Sequence, residues 1–300
     1  MITRMGWVQA RSALFGIQWY ATSDGWLDRT KGPALASQLS QARDLGYAAV
    51  RIDVPEDLTV GQYVDLLAEY GLAPAPAYLG VQLEDDGRAT PESSERARQT
   101  AALHAEAGLS SMFLGCGMSK AADRVARHPA RGLGFNEARL DRVRDSLAAV
   151  AEVICAEGVR PGLHPHVGTW VETELETRYV LDTVDPALLA FGPDTGHLAW
   201  AGIDPARIMA DYRQRIDHVH IKDVSASVSA SSLTGGLNYQ QTVLAGIWRE
   251  PGLGDVDLDA VLGVLGPTFD GWLIVEVDRP FLPTPGESIS ACARWFRQRS

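Results

Sequence analysis

Eight short apolar runs, each followed by a longer amphipathic segment, dominate this 300-residue chain. The runs are ALFGIQWY (13–20), YAAVRIDV (47–54), LAPAPAYLG (72–80), SSMFLG (110–115), VRPGLHPH (159–166), ALLAFGPDTGH (187–197), IDHVHIKDV (216–224) and GWLIVEV (271–277). Each has the length of a buried strand. The segments between them carry helix punctuation. Gly46 stops the helix expected over 34–46, Pro91 lies in the first turn of the one over 91–108, and an Asp-Pro pair opens the one over 204–215. Further helices are expected over 59–71, 136–158, 171–184, 257–266 and 286–300. Eight strands, each feeding a helix, fit an α/β fold of the (β/α)₈ or TIM-barrel kind, as one domain over residues 1–300. A doubly wound open sheet is the runner-up. It usually carries a Gly-rich phosphate turn after its first strand, and GIQWYATSDGW offers none.

One connection breaks the rhythm. Residues 225–255 begin Ser- and Gly-rich and read as a loop insertion, either a lid at the strand ends or plain disorder.

Charge narrows the partners. Lys plus Arg number 27 against 38 Asp plus Glu, a net −11, and no basic run stands out. A nucleic-acid footprint needs the opposite sign. The three cysteines are too widely spaced for a disulfide framework or a CxxC metal knuckle. No run of about 18 apolar residues suggests a membrane span. The first 20 residues lack a signal-peptide core, so a soluble, cytoplasmic protein is expected.

In a barrel, chemistry sits where strands end. The later strands carry polar residues there. They are His164 and His166, then Asp194 and His197, then His218, His220 and Lys222, and last Glu276. Residues two apart share a face, which pairs His164 with His166 and aligns His218, His220 and Lys222. Glu276 lies among Ile274, Val275 and Val277, where a carboxylate is costly unless paired or bound to a metal. Two carboxylates and two imidazoles make an N₂O₂ site with open positions. The candidate ligands are His164, Asp194, His220 and Glu276. Such a set suits one divalent ion, Mn²⁺ or Co²⁺ first, with Mg²⁺, Fe²⁺ and Zn²⁺ as alternatives.

Each residue also has a bland explanation. A lone strand-end histidine is usually a hydrogen-bonded structural group, Asp194 in PDTG could be a turn residue, and His218 could be a satisfied neighbour of the ligands. These explanations weaken together, because five of the seven histidines fall at three adjacent strand ends. His104 and His128 read as structural or surface residues.

HPHVGTWVET, DTGHLAWAG, HVHIKDV, VLAGIWREPGLGDVDL and GWLIVEVD resemble the sugar isomerase/epimerase superfamily of xylose-isomerase-like barrels. Within it they are most similar to inosose dehydratases, the 2-keto-myo-inositol dehydratases of inositol catabolism. The resemblance is close from Gly162 to Asp278. It implies one divalent metal on strands five to eight, with Asp194, His220 and Glu276 matching the last three ligand positions. At the first, His164 stands where most isomerases and epimerases carry Glu. This departure favours a lyase over an epimerase that needs two symmetric carboxylates. The expected activity is dehydration of a keto-inositol or similar cyclic polyol ketone through an enediolate. His166 and His197 are acid–base candidates, and Lys222 is a candidate to hold a substrate oxygen or the enolate charge. An isomerase or epimerase on a sugar or keto-inositol is the first rival. A non-catalytic sugar-binding barrel or complex subunit is the second. The expected partner is a small polyol ketone or sugar, and pairing into a homodimer is left open.

Overall fold

The eight apolar runs do form strands, all parallel and each short. The computed structural model describes residues 10–299, so the N-terminal stretch that bears on a leader lies largely outside them. Strand one is Arg11–Leu14, strand two Ala49–Arg51, strand four Ser111–Cys116 and strand five Arg160–Leu163. Strand six is Ala190–Phe191, strand seven His218–Ile221 and strand eight Trp272–Val275. Strand three comes in two pieces, Ala73–Ala75 and Tyr78–Val81; the first pairs with strand two and the second with strand four. Pro74 and Pro76 explain the break, since neither can donate to a ladder. The amide of Ala77 turns instead to His104 Nε2 at 3.1 Å, while His104 Nδ1 bonds the Thr100 carbonyl at 2.7 Å. His104 is thus structural, as expected.

Strand one pairs with strand eight, and strand eight with strand seven. Strands six and seven meet through parallel bridges at Phe191–Ile216 and Asp194–His220. The ring is therefore closed. The outer helices follow the expected segments to within a few residues, for example Leu35–Asp44, Glu92–Glu106, Glu137–Ala156 and Pro285–Arg297. Among the described residues no helix is long and apolar enough to cross a membrane.

Three boundaries differ from expectation in ways that matter. The first run is extended only to Leu14. Gly16 then takes a left-handed conformation (φ 76°), and Ile17–Tyr20 coil into a 3₁₀ turn. Strands five and six end before HPH and DTGH, so the polar residues sit on the loops rather than inside the ladder. Asp194 caps the helix Thr195–Trp200.

The third difference is at 225–255, which is not a Ser/Gly-rich loop. It holds the helices Ala226–Gly235 and Tyr239–Leu244, then Trp248–Arg249, which pairs antiparallel with Asp223–Val224. The serines are packing groups. Ser229 Oγ donates to the Trp200 carbonyl at 3.1 Å, and buried Ser232 Oγ accepts from Trp200 Nε1 at 3.1 Å and from Thr242 Oγ1 at 3.0 Å. A small hydroxyl lets two short helices approach closely and still pairs the indole N–H. The following PGLGDV turn wraps around buried Asp223. That carboxylate accepts the amides of Val224, Gly252, Gly254 and Val256 at 2.9–3.0 Å. A side chain on Gly254 would strike Asp223, so close approach requires glycine there.

Candidate active site

Strand seven shows how the sequence builds the site. His218, His220 and Lys222 alternate along it and stack up the inside of the barrel, as their spacing of two dictates. His218 is the lowest. Its ring lies edge-on to Phe113 at 4.2 Å, in space left by two glycines. A Cβ on Gly162 or Gly192 would come within 2.5 or 2.6 Å of His218 Nε2. Neither ring nitrogen has a hydrogen-bond partner, so the bland explanation of His218 as a satisfied neighbour of the ligands does not hold. Burial keeps it neutral, with a pKa near 3. Phe113 also underlies His164 (5.3 Å) and His220 (3.8 Å), and so forms the apolar floor of the site.

The next layer up is the candidate metal centre. His164, Asp194 and His220 are all buried, and each offers a ligand atom within 4.8 Å of the others. Glu276 joins them, with Oε2 2.6 Å from His220 Nδ1. These two atoms are close without the alignment of a hydrogen bond, and both His220 nitrogens and Asp194 Oδ2 are unpartnered. The remaining atoms of the set are committed. His164 Nδ1 donates to the Gly192 carbonyl at 3.1 Å, which turns Nε2 toward the cluster. Asp194 Oδ1 accepts the amides of Gly196 and His197 at 2.8 and 2.9 Å, which leaves Oδ2 to face His220 and Lys222. Outer hydrogen bonds that fix a histidine's tautomer and a carboxylate's rotation are what metal ligands ordinarily have.

Charge points the same way. Lys222 Nζ lies 3.1 Å from Asp194 Oδ2, 3.3 Å from Glu276 Oε2 and 3.0 Å from Asp278 Oδ2. Three largely buried carboxylates therefore share one ammonium. Burial alone would lower the Lys222 pKa, but Asp194, Asp278 and Glu276 outweigh it and hold the group charged. Burial would likewise raise Glu276, yet Lys222 and His220 keep it ionised. The surplus negative charge draws protons onto its neighbours. His220 is raised despite its burial, chiefly by Glu276. Asp278 is pushed up to about 7 by burial, against Lys222, with Glu276 adding to the rise. A divalent cation is the natural occupant of such a place, since an uncompensated buried charge costs several kcal/mol, on the order of 3–5. His164, Asp194 and His220 fit that group in type and spacing, and Glu276 stands beside His220 to add a fourth oxygen.

Above this layer opens a pocket of about 320 Å³. His164, His166, His220, Glu276 and Asp278 reach it from the later strands, and Phe15, Trp26, Tyr78, Tyr239 and Trp248 give it aromatic walls. Trp26 stacks on Tyr239 with ring centres 5.8 Å apart, and Gln240 Nε2 bonds the Asp24 carbonyl at 2.8 Å. The loop after strand one and the 225–255 segment thus meet over the site. His166 Nδ1 donates to the carbonyl of Val167 at 2.8 Å, which leaves Nε2 as an acceptor. Burial and then Lys222 bring its pKa down to about 4. His197 packs against His166 with ring centres 3.7 Å apart and the planes tilted by 36°, and its Nδ1 accepts the Val167 amide at 3.3 Å.

All seven residues singled out in the sequence therefore come together. Their places about the pocket divide them. His166, His164, His220 and Glu276 border the pocket, while Asp194, His197 and Lys222 lie behind it. Asp278 was missed, although it stands two residues beyond Glu276 on the same face. The early strands also contribute more than was read from them. Phe15 lies edge-on to His220 at 4.8 Å, and Arg51 sits over Phe15 at 4.6 Å.

Residues 39–299 match the family profile described as xylose isomerase-like TIM barrel. An inosose dehydratase of Bacillus cereus (strain AH820) is 31% identical over 168 residues, which are 55% of this chain and 56% of that protein. The chain thus spans just over half the length of the curated relatives it matches. Two solved structures share the fold. One is the probable 3-DHS dehydratase AsbF of Bacillus anthracis, with a TM-score of 0.67, 16% identity, and coverage of 97% of this chain and 100% of that one. The other is the IOLI protein with a bound zinc atom, with a TM-score of 0.67, 15% identity, and coverage of 97% and 98%.

Proposed function

The chain belongs to the xylose isomerase-like TIM barrel family, and we propose that it is a divalent-metal-dependent lyase that removes water from 2-keto-myo-inositol or a similar cyclic polyol ketone. The observation that carries this is the gathering of ligand atoms of His164, Asp194 and His220 within 4.8 Å of one another beneath the pocket, with Glu276 beside His220. The inosose dehydratase relatives support the substrate class. A mixed imidazole and carboxylate set accepts several divalent ions, and we take Mn²⁺ or Co²⁺ as the first to test.

When bound, the cation polarises the ketone oxygen and makes the neighbouring C–H acidic. The chain's own residues do the rest. His166 lines the pocket, and with its Nδ1 committed to Val167 its Nε2 takes the α-proton. The ring stays aligned because its Nδ1–H is held by Val167 and it packs against His197. The electron pair moves to form the C=C bond, and the β-hydroxyl departs. Asp278, with a pKa raised to about 7, is a proton donor near neutral pH and delivers the proton that turns the leaving hydroxyl into water. Lys222 works behind the pocket by holding Asp194, Glu276 and Asp278 in place.

The lyase reading over an epimerase rests on His164. An exchange of configuration needs a proton acceptor on each face of the ring, and here the strand-five position carries an imidazole tied to Gly192. The test is to load the protein with Mn²⁺, supply 2-keto-myo-inositol and follow the ultraviolet absorbance of the enone-type product. His220→Ala and Asp194→Ala should lose both metal and turnover. Full metal content and activity in both variants would overturn the assignment.

A further inference from the structure

A second cavity adjoins the reaction pocket. It measures about 550 Å³ against about 320 Å³, and the two share only Phe15, Arg29 and Arg51 as lining residues. Those three residues form the partition. One side of it is the edge of Phe15 against the His220 ring, and the other is the Arg51 guanidinium over the Phe15 face.

The lining specifies the chemistry of a guest. Trp19, Tyr20 and Tyr63 supply flat apolar surface. Arg29 and Arg51 both bind Asp53, the latter at 2.5 Å, and Glu56 adds a second carboxylate. Two cations thus face two anions, and an anionic guest would have to displace Asp53 to find a partner. The Arg51 side chain is only 9% exposed, and its Nε is buried without a hydrogen-bond partner. Such an orphan is costly unless something accepts from it. Aromatic faces with a few fixed donors and acceptors, neutral in sum, suit a ring rich in hydroxyls.

We infer that this chamber is a second subsite, holding a neutral, hydroxyl-rich ring joined to the reacting polyol ketone. The substrate is then a two-ring compound, a keto-polyol carrying a glycosyl unit. The reacting ring lies over His164, His220 and Glu276, and the second ring lies beyond Phe15 and Arg51. This rests on the reading of the reaction pocket given above.

Calorimetric titration of the Mn²⁺-loaded protein tests it, with myo-inositol, its galactoside galactinol and an inositol monophosphate as probes. Galactinol should bind about tenfold tighter than myo-inositol or better. Val54→Trp, which fills the second chamber from a residue outside the reaction pocket, should erase that advantage and leave myo-inositol binding unchanged. Glu56→Ala, at an exposed position, should narrow it and serves if the larger substitution fails to fold. Galactinol binding no tighter than myo-inositol overturns the second subsite and leaves the one-ring reading standing. The monophosphate binding tightest of the three overturns the neutral-ring assignment. Binding of galactinol alone supports the inference against a one-ring substrate. If none of the three binds, the reaction-pocket reading falls and takes the second subsite with it.

Discussion

Replacing Lys222 by methionine removes an ammonium that three carboxylates share at 3.0–3.3 Å. Methionine keeps most of the length and packing of the side chain, so the effect is electrostatic. Asp194 is wholly buried and Glu276 nearly so, which denies them water as a replacement partner. Stripping one partner from a buried ionic group costs about 3–5 kcal/mol. At roughly 2 °C per kcal/mol for a chain of this size, the metal-free variant should melt about 6–10 °C below the parent. The loss should grow as pH rises past about 7, because the parent's Asp278 then ionises against Lys222 while the variant, without the group that lowers its pKa, must hold it protonated. Saturating Mn²⁺ should close much of the gap, because the dication takes over the neutralising role and stabilises the state that binds it. Scanning calorimetry of both proteins, with and without metal at pH 6 and 8, reads all three effects. A metal-free variant melting within about 2 °C of the parent would refute the shared-ammonium picture. So would a gap that metal leaves unchanged.

Asp278→Asn should lower kcat by about 10²–10⁴-fold with little change in metal content. The parent's rate should fall as pH rises through about 7, because the donor must be protonated, and the variant's residual rate should lack that fall. Burial holds Glu172 up at about 7 against an ordinary 4.5. A folded-state pKa above the unfolded one gives stability that is complete below about pH 4.5 and lost as pH rises to about 7. Urea unfolding of Glu172→Gln should therefore show its largest deficit near pH 4.5 and a smaller one at pH 7. Asp223→Asn turns an amide NH₂ toward backbone N–H donors that a carboxylate now accepts, and should cost about 1–3 kcal/mol by urea midpoint. Gly162→Ala should cost about 1–3 kcal/mol through its clash with His218, and adding His218→Ala should recover part of that cost. Simple additivity of these two changes would contradict the packing.

The barrel was legible because buried parallel strands read as continuous apolar runs and their helices carry caps at the expected places. The ligand set was legible for a related reason. A carboxylate or imidazole at the end of an apolar strand has few bland explanations, and four such ends were consecutive. Asp278 needed only the same period-two rule extended past Glu276. The 225–255 segment was hidden because serine composition says nothing about burial. There, Ser229 and Ser232 make helix contacts that a linker would not. Asp223 could have been found through PGLGDV, whose Gly254 has no purpose until a carboxylate is placed against it. Arg51 and Phe15 gave no local signal, since their place in the site follows from barrel closure between strands one and eight.

The most direct measurement is mass analysis of the product formed from 2-keto-myo-inositol by the Mn²⁺-loaded protein in heavy water. Loss of one water, with new ultraviolet absorbance that vanishes on chelation, is the predicted result. Substrate that returns at full oxygen content with a deuterium in place of its α-proton would make the protein an epimerase or isomerase. Water loss that persists after the metal is removed would contradict the role given to His164, Asp194, His220 and Glu276.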